Sequence, residues 1–189
     1  MTKVSATMKK KKGKKIQLCD IIDNEIKDNS LRNGFPKSFD SHIKQLKTKK
    51  IINHKDFTDI PFVTIDGQDS KDFDDAVWSE TKKGITNIMI AISDVSFFIE
   101  KNDPLDLEAK KRGNSFYFPD RVIPMFPQKL SNDTCSILPK KERACVVIEI
   151  NLLMNGKIQG FKIHRAKIKS RSRFSYNEVD KIYKNNINN

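Results

Sequence analysis

The sequence predicts an α+β fold, a mixed or antiparallel sheet with helices at its periphery. Three observations carry that prediction. Apolar residues recur at helical spacing near both ends, as Leu18, Ile22 and Ile26, as Phe39, Ile43 and Leu46, and as Val179, Ile182 and Tyr183. Between them lie apolar runs joined by turn signals, at residues 82–84 (Lys-Lys-Gly) and 155–156 (Asn-Gly). A third kind of segment, residues 62–77 (FVTIDGQDSKDFDDAV), sets a short apolar run against a dense group of aspartates.

The elements follow in chain order. Residues 18–28 (LCDIIDNEIKD) form a short helix, ended by the Asn-Gly and Pro of residues 30–36. A second helix runs from about Ser38 to Lys49, with lysines in its last turn, where they suit the helix dipole. Residues 62–65 read as a strand and Asp66–Gly67 as the turn that ends it. The hairpin of residues 76–80 and 85–93 comes next, with Asp94 at its end as a cap or an outer member of the acidic group. Asp103 and Pro104 open a helix that Gly113 closes. Residues 115–118 alternate like a strand; residues 146–154 and 157–168 form the long hairpin around Asn155–Gly156. Ser175 and Glu178 form a capping box for the last helix.

Chemistry concentrates in the aspartate segment. Asp66, Asp69, Asp72, Asp74 and Asp75 fall within ten residues, between two strands. Convergent carboxylates raise one another's pKa values, and a divalent cation removes that conflict. Magnesium prefers oxygen ligands and is held by one or two carboxylates together with waters and phosphates. A solvated Asp-rich turn is the plain alternative. A calcium loop of the EF-hand kind is disfavoured, because the aspartates do not alternate as D-x-D-x-D-G and no closing Glu follows.

Composition narrows the setting. The 189 residues carry 36 basic and 24 acidic side chains, a net charge of +12. Residues 1–15 hold seven lysines and no acid, so they supply more than half of the excess. Residues 1–16 are expected to be a disordered Lys-rich arm, either a solubilising tail or, through Lys9, Lys10, Lys11 and Lys12, a polyanion-binding one. No run approaches membrane-spanning length, and no apolar segment follows the arm as in a secretory signal. Cys19, Cys135 and Cys145 lack C-x-x-C spacing and read as reduced thiols of a cytoplasmic protein. His42, His54 and His164 share no ligand spacing, which argues against a zinc site.

The segment TIDGQDSKDFDDAV resembles the signature that opens the RNB catalytic domain of the ribonuclease II / ribonuclease R family. Residues 90–99 (IAISDVSFFI), 115–132 (SFYFPDRVIPMFPQKLSN) and 135–139 (CSILP) are similar to its successive blocks, in the same order. The resemblance runs from about Ser30 to about Val179. It implies a magnesium-dependent exoribonuclease, with manganese as the alternative ion, that degrades single-stranded RNA from the 3′ end to nucleoside 5′-monophosphates. It implies Asp66, Asp72, Asp74 and Asp75 as metal ligands or water-positioning groups, with Asp74 and Asp72 catalytic and Asp74 the more critical. Asp69 falls where the family tolerates other residues. Tyr117 corresponds to the tyrosine that stacks on the base at the RNA's 3′ end; without the resemblance a core-filling role is the default. The Leu130–Ser131 and Cys135–Ser136 loop reads as scaffolding for the site.

The implied organisation is an arm at 1–16, a helical linker at 17–60, and the N-terminal portion of an RNB domain at 61–189. Cold-shock and S1 domains are not matched. The family's later half supplies an arginine-bearing segment of the form S-P-I-R-R-Y, and nothing here corresponds to it. Residues 170–174 (SRSRF) align with an earlier block and are not its replacement. The expectation is a truncated RNB domain, weak or inactive alone, completed by a polypeptide carrying the rest. The other expectation is a non-catalytic RNA-binding remnant.

Overall fold

A computed structural model describes residues 17–46 and 49–187. The lysine arm, with Lys9, Lys10, Lys11 and Lys12, lies outside the described residues.

Helix α1 spans Leu18–Asp28, where its periodicity places it, and buries Ile22. Helix α2 spans Phe39–Leu46 and buries Phe39 and Ile43. The sequence predicts a helix that reaches Lys49; residues 47–48 lie outside the described residues, and the Lys49 N–H donates to Leu46 O at 3.1 Å. Strand β1 (Lys55–Phe57) falls inside the stretch expected to be a helical linker. Then come β2 (Val63–Asp66), β3 (Asp75–Lys82) and β4 (Ile85–Ser93). Lys83 and Gly84 both take positive φ, 50° and 78°, as a two-residue hairpin turn requires.

The short helix α3 (Val95–Phe98) is capped by Asp94, which accepts hydrogen bonds from Phe97 N and Ser96 Oγ. Asp94 also pairs with Arg165 at 2.8 Å. Burial alone would raise the Asp94 carboxyl; the Ser96 and Arg165 contacts outweigh it and hold it below the usual range. Asp94 is therefore a cap, held by Arg165. Helix α4 (Pro104–Arg112) starts at Asp103 and ends at Gly113, φ 74°, as its punctuation predicts. Its Arg112 donates to the carbonyls of Arg32, Gly34 and Pro124, and so fastens the stretch after α1 to the domain.

Strands β5 (Phe116–Tyr117) and β6 (Val122–Ile123) form a small separate hairpin. A π-helical turn, Leu130–Thr134, follows. Strand β7 (Glu142–Leu153) and strand β8 (Ile158–Lys169) make the long hairpin. Its turn is wider than the Asn-Gly signal predicts. Only Gly156 has positive φ (78°), and four residues separate the strands, closed by Gly156 N to Leu153 O at 2.8 Å. Strand β9 (Ser172–Ser175) leads into α5 (Tyr176–Ile187) through the expected capping box: Ser175 N donates to Glu178 Oε2 at 2.6 Å, and Glu178 N to Ser175 Oγ at 3.3 Å.

Seven strands form one sheet in the order β1-β8-β7-β4-β3-β2-β9. The pairs β1–β8 and β2–β9 are parallel; the rest are antiparallel. Alternation along β7 splits the core in two. Cys145 and Val147 join Phe57, Phe62, Phe73 and Ile137 on one face, whereas Ala144 joins Phe39, Ile43, Phe97 and Leu105 on the other.

Candidate active site

Asp66 is the last residue of β2 and Asp75 the first of β3, so adjacent strands deliver both to one end of the sheet. The loop between them is held by Phe73, buried in the core beside Phe62 and Ile137. Asp72 and Asp74 flank that anchor and stay outside the core. Ser136 grips the loop from below: its Oγ donates to Lys71 O at 3.1 Å and accepts from Phe73 N at 2.9 Å. Ile137 N donates to Phe73 O, and Ser93 N to Asp74 O, both at 2.8 Å. This gives the Cys135–Ser136 segment a scaffolding role.

Arg173 grips the loop from the side. Strand β9 runs parallel to β2 and places Arg173 beside Thr64. From there Nη2 donates to Gly67 O at 2.8 Å and Gln68 O at 2.6 Å, with the guanidinium 5.2 Å from the centroid of the Phe73 ring. The importance of Arg173 was not visible in the sequence. Its signal would have been the β2–β9 pairing, a contact between segments more than a hundred residues apart.

The electrostatics are those of crowded carboxylates. Asp66 is pushed above its ordinary pKa first by burial and then by Asp75, with Arg173 opposing and Asp72 adding to the rise. Asp74 is raised by desolvation, then by Asp72, Asp75 and Asp66. Asp66 and Asp74 are thus both raised by the neighbouring charges of Asp72 and Asp75. They are not drawn into a closed cage: among the described residues no three His, Cys, Asp or Glu side chains form a ready metal-binding group. One feature fits a cation directly. Asp66 Oδ2 is buried and has no hydrogen-bond partner, an arrangement that costs free energy unless a positive charge meets it. The residues present thus fit a hard divalent ion.

A cleft of about 730 Å³ opens beside this end of the sheet. Asp72 and Asp74 line it, with Asp69 and Lys71 from the same loop, while Asp66 and Asp75 stand outside the lining. The far wall is the β5–β6 hairpin and the residues after it, including Tyr117, Val122 and Phe126; Ser131 and Asn132 of the π-helical turn also face in. Tyr117 is 68% exposed, which excludes the core-filling role. Its hydroxyl donates to Asp72 Oδ2 at 3.2 Å, and partial burial together with the Asp72 charge raises its pKa. The Cys135 and Cys145 thiols are pushed up to about 12 by burial, which makes them poor nucleophiles.

Fold and site together define a class: an α+β domain whose mostly antiparallel sheet presents a loop of crowded aspartates beside a cleft. The chain belongs to the RNB domain family, whose model matches residues 54–189. It is 46% identical over 125 residues to the ribonuclease R of Escherichia coli (strain K12), covering 66% of this chain and 15% of that protein. It is 40% identical over 166 residues to the ribonuclease R of Acidithiobacillus ferrooxidans, covering 85% of this chain and 38% of that one. Among solved structures, Mycoplasma genitalium RNase R in complex with ribose methylated single-stranded RNA superposes with a TM-score of 0.84 at 34% identity, over 89% of this chain and 27% of that chain. The chain thus spans well under half the length of these relatives.

Divalent-ion binding is expected to register as thermal stabilisation. Magnesium at about ten times its Kd should add roughly 1.4 kcal/mol, a Tm rise of a few degrees. Asp66→Asn combined with Asp75→Asn should remove that rise; an equal rise in the double variant, read by differential scanning calorimetry, refutes the ligand assignment.

Proposed function

We propose that this chain forms the aspartate-bearing half of a magnesium-dependent 3′→5′ exoribonuclease site, acting on single-stranded RNA and releasing nucleoside 5′-monophosphates. The supporting observation is the orphaned Asp66 Oδ2, in a group of aspartates whose charges raise Asp66 and Asp74, beside an open cleft. Asp66 and Asp75 are the principal ligands, with Asp72 and Asp74 completing the set; manganese is the alternative ion. When bound, the ion supplies an activated water and stabilises the leaving oxygen. The chain's own residues do the rest. Asp74, held through its backbone by Ser93, orients the attacking water and accepts its proton. Asp72, hydrogen-bonded to Tyr117, ties the acidic loop to the wall where the terminal base stacks. Ser136 and Arg173 keep the loop in register.

The partner we assign is a polypeptide carrying the remainder of the RNB domain, and the compartment is the cytoplasm, in keeping with three free cysteines. No helix among the described residues is long and apolar enough to cross a membrane. A second reading, a non-catalytic RNA-binding remnant, is favoured by one observation, the absence of a closed metal-binding group among the described residues. The two separate on 3′-labelled single-stranded RNA, with magnesium and with EDTA, using the chain co-expressed with the remainder of the domain. Magnesium-dependent release of monophosphates supports the nuclease; RNA retained without cleavage supports the remnant.

RNA affinity is expected to fall steeply with salt, because phosphate contacts dominate. Deleting residues 1–15 should flatten that slope; an unchanged slope makes the arm a solubilising tail. Tyr117→Ala should cost about 1–3 kcal/mol of RNA affinity. Tyr117→Phe keeps the ring and loses only the Asp72 hydrogen bond, so its affinity should stay near that of the unaltered chain. Equal losses in both variants, measured by fluorescence anisotropy, would place the effect in the hydroxyl and not in stacking.

A further inference from the structure

A separate cavity lies behind the β5–β6 hairpin. Phe116 and Ile123 stand opposite each other in that hairpin and line a cavity of about 210 Å³, whereas the next pair, Tyr117 and Val122, lines the acidic cleft. Successive residues of a strand point to opposite faces, so the hairpin is a partition one strand layer thick. The rest of the cavity is built from the segments that follow α1 and end α4, through Ser30, Arg32, Lys111, Arg112 and Asn114. Its lining holds three basic side chains and no acidic one among the described residues.

Some of these donors are spent on the fold and others are not. The Arg112 side chain is 3% exposed, pairs with Glu108 and donates to the carbonyls of Arg32 and Pro124, so it is committed. Arg32 gives Nε and Nη2 to the two carboxylate oxygens of Glu108, at 2.8 and 2.9 Å. Its Nη1 is left without a partner among the described residues, on a side chain 49% exposed. Lys110 pairs with Asp106 at 2.8 Å, but the ammonium of the adjacent Lys111 has no ion pair among the described residues. Asn114 Oδ1 accepts from Ser115 N at 2.9 Å, which leaves Nδ2 to donate elsewhere. Ser30 takes the left-handed position after α1, φ 51°, where glycine is usual, and so adds a hydroxyl to the lining. The carbonyl ends of α1 and α4 would on their own repel an anion. They are closed internally, by Ser30 N on Lys27 O, Leu31 N on Ile26 O and Gly113 N on Ala109 O.

We propose that this cavity binds a phosphate group, with Lys111 and Arg32 Nη1 as its charged donors and Asn114 and Ser30 as its neutral ones. Charge-assisted donors of this kind suit phosphate oxygens. A cation would be repelled here, and a neutral ligand would leave the charges of Lys111 and Arg32 without a counterpart. The volume holds a phosphate group and a few waters, each of which takes about 30 Å³ in the liquid. Two sources can supply the group: the backbone of a single-stranded RNA that crosses the hairpin from the cleft, or a free phosphate carried by a mononucleotide or present as the inorganic ion. The site does not require cleavage, so it goes beyond the nuclease reading and stands or falls without it.

The test uses the full 189-residue chain and three probes: oligoadenylate RNA, adenosine 5′-monophosphate and inorganic phosphate. Backbone hydrogen exchange is expected to slow at residues 29–32 and 111–116 when a probe binds. Protection by RNA alone identifies the backbone as the source; protection by the monophosphate or by inorganic phosphate identifies the free group. Lys111→Gln is expected to weaken binding of the protecting probe about fivefold at about 0.1 M salt. For RNA it should also lower the slope of log Kd against log salt by about 0.7, the amount for one phosphate contact on a single strand. Lys110→Gln makes the same change of charge one residue away, on a side chain outside the cavity lining, and should leave both quantities unchanged. Thermal unfolding followed by circular dichroism should be the same in Lys111→Gln as in the unaltered chain, because Lys111 is exposed. Equal weakening by Lys110→Gln and Lys111→Gln would reduce the effect to overall charge and overturn the site. So would the absence of protection at residues 29–32 and 111–116 with all three probes, a readout that needs no variant.

Discussion

Asp74→Asn is expected to reduce monophosphate release by about 10²–10⁴-fold in the chain assembled with the remainder of the domain, with RNA binding little changed. The substitution keeps the shape of the side chain and removes its capacity to take a proton. The backbone at this position is independently fixed, by Ser93 N on Asp74 O and by Ser136 and Ile137 on Phe73, so the loop should keep its path. The loss then reports charge and not misfolding. The isolated chain, by contrast, is expected to turn over very slowly before any substitution. Charge that develops on a phosphodiester in the transition state needs preorganised donors, and losing one typically costs ~10²–10³ in rate. Lys71 is the one basic side chain lining the cleft among the described residues. The open cleft also admits the water that a closed site excludes. Both expectations are read from one experiment, resolving the products of 3′-labelled RNA with magnesium. Processive release by the isolated chain, lost in Asp74→Asn, would show that this portion of the site suffices by itself.

What the sequence made legible is what local chemistry decides. The Lys83–Gly84 turn, the Asp103 and Gly113 ends of α4 and the Ser175–Glu178 box each depend on residues a few positions apart, and each stands where its residues predict. The aspartate loop was legible for the same reason: a strand-ending Asp66 followed by closely spaced carboxylates needs no long-range information to be noticed. What stayed hidden depends on pairing across the chain. Strand β1 is three residues long and is a strand only because β8 lies beside it. Strand β7 begins at Glu142, before the apolar run at 146, because β8 continues that far, pairing Lys169 with Glu142, while β4 ends opposite Cys145. The π-helical turn at Leu130–Thr134 has no periodicity that announces it. The convergence of the four aspartates is of this second kind, since it depends on β2, β3 and β9 sharing one end of the sheet.

Arg173→Met is expected to loosen the aspartate loop and lower stability by roughly 2–4 kcal/mol, from two charge-assisted hydrogen bonds of about 1.5–3 kcal/mol each, partly offset by water. For a chain of this size that is a fall in Tm of roughly 5–15 °C. The cause is specific. One guanidinium nitrogen bridges Gly67 O and Gln68 O while the cation lies over the Phe73 ring, so a single side chain joins β9 to both ends of the loop. It also provides the positive charge that opposes the rise in the Asp66 pKa. Methionine keeps the apolar stem and part of the packing on Phe73, and loses the donors and the charge. Arg173→Lys should recover little, because a compact, strongly hydrated ammonium cannot stack as a plane on the Phe73 ring while donating to the two carbonyls. A purely structural clamp and one that shapes the ion site differ in a second readout. If the loop's register holds Asp72 and Asp74 in place for an ion, the magnesium-induced rise in Tm should shrink in Arg173→Met, measured against that variant's own metal-free Tm. An undiminished rise limits Arg173 to holding the fold, and full recovery in Arg173→Lys shows that charge alone, without the two-carbonyl geometry, is what the loop requires.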